Sequence, residues 1–232
     1  MSDNKYNTIA EASLLSETEI KQKMKILAKQ IADDYRKENL LDADAPNALS
    51  YLKNPLILIC VLKGAFMFAA DLCRALCDEK VPLKLEFLCV SSYKNDVKTS
   101  GEVQLLLDVR HTIEGKHVLL VEDLMDSAVT LHYLQKLLLN RRPATLKTVI
   151  LLDKPKQKRL KQNVKVDYCL AKVGNAFVVG YGLDYAQGFR ELREVIVIDP
   201  AVVTEHQYYL KQKAVEEEEE KKNKKVTRSH QS

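Results

Sequence analysis

Between Glu17 and Lys37 the apolar residues Ile20, Met24, Leu27, Ile31 and Tyr35 recur at steps of three or four. That spacing gathers them on one stripe and predicts an amphipathic helix, with Ser16 or Thr18 available as its N-terminal cap. Lys21, Lys23, Lys25 and Lys29 fall on the remaining face, as expected of a solvated surface. The pattern then changes. Leu56-Ile57-Leu58-Ile59-Cys60-Val61-Leu62 is an unbroken apolar run between Pro55 and Lys63-Gly64. It is too short for a helix and rich in branched residues, so it predicts a strand buried on both faces. A helix is expected over Ala65–Cys77, a second strand over Leu83–Val90 and a third over Val118–Val121. A helix from about Val129 to Leu139 follows, then a strand over Thr148–Leu152 and later strands at Phe177–Val179 and Val195–Ile198. Residues 1–16 show no period and are expected to form a loose arm.

Buried strands alternating with helices give an α/β fold, a mainly parallel twisted sheet flanked by helices. The length of 232 residues suits one such domain with small additions at its ends. The expected division is an arm at 1–16, a core domain at 17–204 and a charged extension at 205–232.

Composition narrows the classes. Apolar residues make up 46% of the chain, enough for a core, and the net charge of +4 demands no nucleic-acid partner. No apolar stretch is long enough to span a membrane, and the polar first ten residues do not read as a signal peptide. The five cysteines, Cys60, Cys73, Cys77, Cys89 and Cys169, lie mostly in apolar runs and read as buried thiols of a reducing compartment. The cytoplasm is the expected location.

Chemistry concentrates after the third buried strand, in Glu122-Asp123-Leu124-Met125-Asp126-Ser127-Ala128-Val129-Thr130. In parallel sheets, ligands gather outside the carboxyl ends of the strands. A helix starting at Val129 offers free N–H groups to an anion, and Ser127 and Thr130 add hydroxyl donors. Glu122 and Asp123 can accept from vicinal hydroxyls such as those of a ribose. The plainer alternative is that Asp126 or Ser127 only caps the helix.

The run from Val121 to Thr130 resembles the phosphoribosyl-pyrophosphate motif of the type I phosphoribosyltransferases, and specifically their hypoxanthine-guanine branch. Further matches follow in family order: Leu62-Lys63-Gly64, Ser92-Tyr93, Lys154, Phe177 to Tyr181, Leu183-Asp184-Tyr185 and Phe189-Arg190. The resemblance spans roughly residues 33–198 and implies that family's fold, with a small hood formed by the chain ends.

The resemblance also implies roles. Asp126 would be the general base near purine N7. Glu122 and Asp123 would bind the ribose hydroxyls, and Ser127, Ala128, Val129 and Thr130 would cradle the 5-phosphate. Lys63 and Gly64 would meet pyrophosphate, after a peptide bond that can be cis in the family. Ser92 and Tyr93 would belong to a lid over residues 91–101. Lys154 would donate to the purine 6-oxo group, Phe177 would stack on the base and the backbone of Val178 would meet its far edge. Arg190 would contact pyrophosphate, and Asp184, Glu122 and Asp123 would hold Mg2+. The implied partners are phosphoribosyl pyrophosphate and a 6-oxopurine, with the chain assembled as a homodimer or homotetramer.

Two departures from the family pattern stand out. Ser127-Ala128 replaces the usual Thr-Gly, which keeps the backbone donors if the turn needs no positive φ at Ala128. Lys158, beside Arg159, stands where the family has an arginine. Other readings weigh less. An adenine or pyrimidine transferase would share Glu122–Thr130 but lack the Lys154 and Phe177 pattern. A non-catalytic regulator that bound nucleotides or RNA would lose Asp126. A dinucleotide enzyme would need a Gly-x-Gly-x-x-Gly spacing, which the seven glycines do not contain.

The stretch Glu216–Lys225, five glutamates and then a lysine-rich run, is either a frayed helical extension or a disordered tail. With almost no apolar residues in it, removal of 216–232 is expected to leave the thermal melting curve and kcat nearly unchanged. Loss of transferase activity on truncation would mean that the tail docks on a partner or on the site.

Overall fold

The computed structural model describes residues 10–38, 40, 54–92, 103–126, 128–154 and 164–229. The helical period from Ile20 to Tyr35 becomes α1, Glu17–Lys37, which buries Ile20, Met24, Leu27, Ile31 and Tyr35. Ser16 caps it in a reciprocal box with Glu19, satisfying N–H groups that a helix start otherwise leaves open. The apolar run after Pro55 becomes β2, Leu56–Leu62, followed by α2, Phe66–Asp78. Next come β3, Leu83–Ser92, and β4, Val103–Leu107. β5, His117–Met125, leads into α3, Val129–Leu139. Then follow β6, Thr145–Asp153, β7, Tyr168–Lys172, β8, Val178–Val179, β9, Val195–Ile198, and α4, Pro200–Ser229. Because β1 is Ala10–Leu15, part of the stretch expected to be a loose arm is a strand.

Six strands form the main sheet in the order β4-β3-β2-β5-β6-β7. All pairs are parallel except β3 with β4. Alternate residues of a strand point to opposite faces, and the two cores divide accordingly. Leu56, Leu58, Leu119 and Val121 pack with α1 and α2, whereas Ile57, Ile59, Val118 and Leu120 pack with Leu131, Leu134 and Leu138 of α3. The central strands are therefore apolar on both faces, which is why they read as continuous runs. β3 is different: Leu85 and Phe87 remain about two-fifths exposed, and Leu106 and Leu107 of β4 are also exposed.

A second sheet, β1-β9-β8, is antiparallel and brings the chain ends together, as expected of the hood. Val179, Leu192, Ile196 and Ile198 form its own small core. β1 could not be read locally, because Ala-Glu-Ala-Ser-Leu-Leu is an indifferent strand former. It is held by β9, whose partner positions lie far along the chain, from Ala10 with Ile198 to Leu15 with Val195. Of the two alternatives for the tail, the helical one holds to Ser229, so the boundary expected between 204 and 205 falls within α4. The expectation of buried cysteines is corrected: Cys60 is buried, Cys73, Cys89 and Cys169 are half-buried, and Cys77 on the outer side of α2 is exposed.

Candidate active site at the carboxyl ends of β2 and β5

β2 and β5 run side by side with Cys60 level with Val121, so Lys63-Gly64 leave the sheet beside the two acids of β5. Glu122 and Asp123 lie within β5 and do not follow it, because the strand continues through Met125 opposite Asp153 of β6. The Leu62–Lys63 peptide is cis. A Cβ on Gly64 would run into the Asp123 carboxyl, and one on Gly182 would run into the Gly64 carbonyl. Three segments thus meet at contacts that only glycine permits. Gly182 also has a φ of 102°.

The two acids are not ordinary surface carboxylates. Burial, and next the neighbouring Asp123 charge, push the Glu122 carboxyl well above the usual carboxylate range. Burial also raises Asp123, against hydrogen bonds from its surroundings and the Arg190 cation, which pull it down. The Glu122 Oε2 is buried with no hydrogen-bond partner among the described residues, while Asp123 Oδ1 accepts from the Leu124 N–H at 2.7 Å.

Opposite the acids lies a cationic group built by the loop between β8 and β9. Arg190 forms a 2.7 Å ion pair with Asp184 and donates to the Gly182 carbonyl at 2.7 Å. Gln187 accepts from Lys63 Nζ at 3.2 Å and from Arg190 Nη2 at 3.3 Å, and its own N–H donates to Asp184 Oδ2 at 2.9 Å. The sequence analysis missed Gln187. No periodicity or charge marks it, and its partners are set by a loop in which Ala186, Gln187 and Phe189 all have positive φ.

Beyond β5, Asp126 is half-buried, and Ser127 lies outside the described residues. Ala128, rather than Asp126, occupies the N-cap position of α3, and its methyl cannot cap that helix. Asp126 therefore stands two residues ahead of the N-cap position, and the N–H groups of Val129 and Thr130 open α3. The condition set for Ala128 is corrected, because its φ is 62°. A left-handed residue with a side chain costs roughly 1–2 kcal/mol. The methyl recovers part of that, about 0.8 kcal/mol for a buried carbon, by packing in the cluster with Leu131 and Leu134.

Lys154 follows β6 directly and is buried, with its N–H bonded to the Met125 carbonyl at 3.2 Å. Phe177 has half its surface exposed, with its ring edge-on to Tyr185 at 5.7 Å, and Tyr185 packs in the same way on His206 of α4 at 5.3 Å. Val178 is buried in β8 opposite Val197. Ser92 ends β3. Tyr93, the rest of the expected lid, Lys158 and Arg159 lie outside the described residues.

Residues 12–186 match the model of a family described as the phosphoribosyl transferase domain. The chain is 53% identical over 184 residues to the hypoxanthine-guanine phosphoribosyltransferase of Crithidia fasciculata, covering 79% of this chain and 80% of that protein. It is 50% identical over 184 residues to the same enzyme of Leishmania donovani, covering 79% of each. Among solved structures, the hypoxanthine phosphoribosyltransferase of Trypanosoma cruzi in complex with the product IMP superposes with a TM-score of 0.72 at 52% identity, over 83% of this chain and 96% of that one. A second structure of the Trypanosoma cruzi enzyme, concerned with the role of its C-terminal region in oligomeric state and activity, gives 0.77 at 50% identity, over 87% and 97%.

The raised carboxyls of the acid pair have a consequence for stability. A carboxyl that holds its proton more tightly when folded contributes stability below its unfolded pKa and loses it as pH rises through the folded value. Without ligand or metal, the protein should therefore weaken from pH 5 to pH 8, and Glu122→Gln should remove much of that slope. Urea unfolding of both proteins across this range, with chelator present, measures it; parallel pH profiles would contradict the assignment.

Proposed function

This chain belongs to the phosphoribosyltransferase family, and we infer that it serves purine salvage by transferring the phosphoribosyl group of phosphoribosyl pyrophosphate to hypoxanthine or guanine. The products are IMP or GMP and pyrophosphate. The observation that carries this reading is the meeting of the Glu122–Asp123 acid pair, a glycine turn and a Lys63–Arg190 cation pair at one end of the sheet. A ribose carrying a diphosphate matches that arrangement, with hydroxyls toward the acids and phosphate oxygens toward the cations.

In this reading, N9 of the purine bonds to C1 of the ribose while the C1–O bond to pyrophosphate breaks, its electron pair leaving with the diphosphate. Asp126 takes the imidazole proton through N7. Glu122 and Asp123 hold the ribose hydroxyls and so fix C1. Ser127, Ala128, Val129 and Thr130 receive the 5-phosphate on N–H groups at the start of α3. Lys63, Gly64 and Arg190 take up the charge of the departing pyrophosphate, with Ser92 and Tyr93 closing over it to exclude water. Lys154 donates to the 6-oxo group, Phe177 stacks on the base and Val178 borders it.

Among the described residues, no three metal-binding side chains converge. Hard oxygens are nonetheless at hand in Asp184 and in the orphaned Glu122 Oε2. Such a sparse set suits Mg2+ that arrives bound to phosphates and needs only one or two protein carboxylates. Asp184, with Glu122 and Asp123, would hold it, and it would supply charge neutralisation on the diphosphate. The exposed Leu85, Phe87, Leu106 and Leu107 support assembly as a homodimer or homotetramer. The cytoplasm is the proposed location; among the described residues no helix is long and apolar enough to cross a membrane.

A panel of hypoxanthine, guanine, xanthine and adenine with phosphoribosyl pyrophosphate and Mg2+ tests the reading. Adenine should fall below hypoxanthine in kcat/KM by about 10²-fold or more, because its 6-amino group cannot accept from Lys154. Comparable values would sink the assignment.

Asp126→Ala should lower kcat by on the order of 10²–10⁴-fold, while calorimetric binding of phosphoribosyl pyrophosphate changes far less. A variant within a few-fold of the parent would remove Asp126 from the chemistry.

A further inference from the structure

The loop between β8 and β9 contains a side chain that the reaction as described does not use. Gln187 Oε1 is the common acceptor of Lys63 Nζ and Arg190 Nη2, at 3.2 and 3.3 Å. Two cations that converge on one point repel each other, and an acceptor between them offsets part of that repulsion. Here that acceptor is a neutral amide oxygen. Its position is imposed by the backbone: Gln187 has a φ of 69° next to Ala186 at 51°, its N–H is tied to Asp184 Oδ2, and Tyr185 and Gly188 bridge across the loop. The residue is also exposed, so its carboxamide can leave without disturbing a core.

We propose that Gln187 is a positioning residue whose amide oxygen stands in for a pyrophosphate oxygen, keeping Lys63 and Arg190 convergent in the empty site and yielding when the diphosphate enters. The inference rests on the functional reading above, which assigns these two cations to pyrophosphate. The neutrality of the amide is the essential feature. A hydrogen bond from a cation to a neutral oxygen is weaker than one to an anionic oxygen. A diphosphate therefore displaces the amide, and the cations have already been gathered for it. A carboxylate at the same place would hold both cations by charge-assisted bonds and compete with the ligand. Asp184 does not serve as the stand-in, because its Oδ1 is paired with Arg190 and its Oδ2 accepts the Gln187 N–H.

The test compares Gln187→Glu and Gln187→Ala with the parent by calorimetric titration of pyrophosphate with Mg2+, and by titration of GMP as a control for the purine and 5-phosphate regions. Gln187→Glu should weaken pyrophosphate by about 10-fold or more, and the deficit should shrink as ionic strength rises. Gln187→Ala should weaken pyrophosphate by a smaller factor, about 3-fold, because the cations are no longer gathered before the ligand arrives, and an affinity equal to the parent's would remove the positioning role. GMP binding and the melting temperature should be unchanged in both. The inference is overturned if Gln187→Glu binds pyrophosphate as well as the parent does. It is equally overturned if Gln187→Ala loses as much as Gln187→Glu, since Gln187 would then contact the bound ligand. A parent that fails to bind pyrophosphate would overturn the functional reading, and this inference with it.

Discussion

The site depends on one steric constraint, the absence of side chains at Gly64 and Gly182. Gly64 lets the Asp123 carboxyl lie against the turn after β2, and Gly182 lets the next segment lie against the Gly64 carbonyl. Through these two contacts the main sheet and the loop that leads to the hood share one surface. Arg190 reinforces the junction by donating to the Gly182 carbonyl. The acids come from β5, the turn with Lys63 from the end of β2 and Arg190 from the loop between β8 and β9, so no single element carries the site.

The same junction concentrates unfavourable charge. Glu122 and Asp123 are adjacent, the first buried and the second half-buried, and both carboxyls are raised, with desolvation the leading cause for both. Lys63 and Arg190 converge a short distance away. The acid pair is costly alone, and in the proposed function the two clusters receive a ligand that has hydroxyls at one end and a diphosphate at the other. Ala128 belongs to the same pattern. It holds a left-handed conformation at the start of α3, where the helix N–H groups must face outward, and part of its cost is offset by packing of its methyl.

The periodic segments were legible because their signal is local. The spacing of Ile20 to Tyr35 specifies α1, and the unbroken runs at Leu56–Leu62 and Val118–Val121 specify strands covered on both faces. The acidic run that ends β5 marked the candidate site for the same reason, since its order along the chain is what suggests its chemistry. What the tertiary structure alone decided is everything that needs a distant partner. β1 is a strand only because β9 offers it an edge, and β4 and β7 likewise flank strands that the apolar runs announced. Cys77 is exposed because of the side of α2 on which it falls. Gln187 has a role only where a loop folds it between two cations drawn from distant parts of the chain. Periodicity records which face of an element is covered, but not by what, and the geometry of this site is set by what covers what.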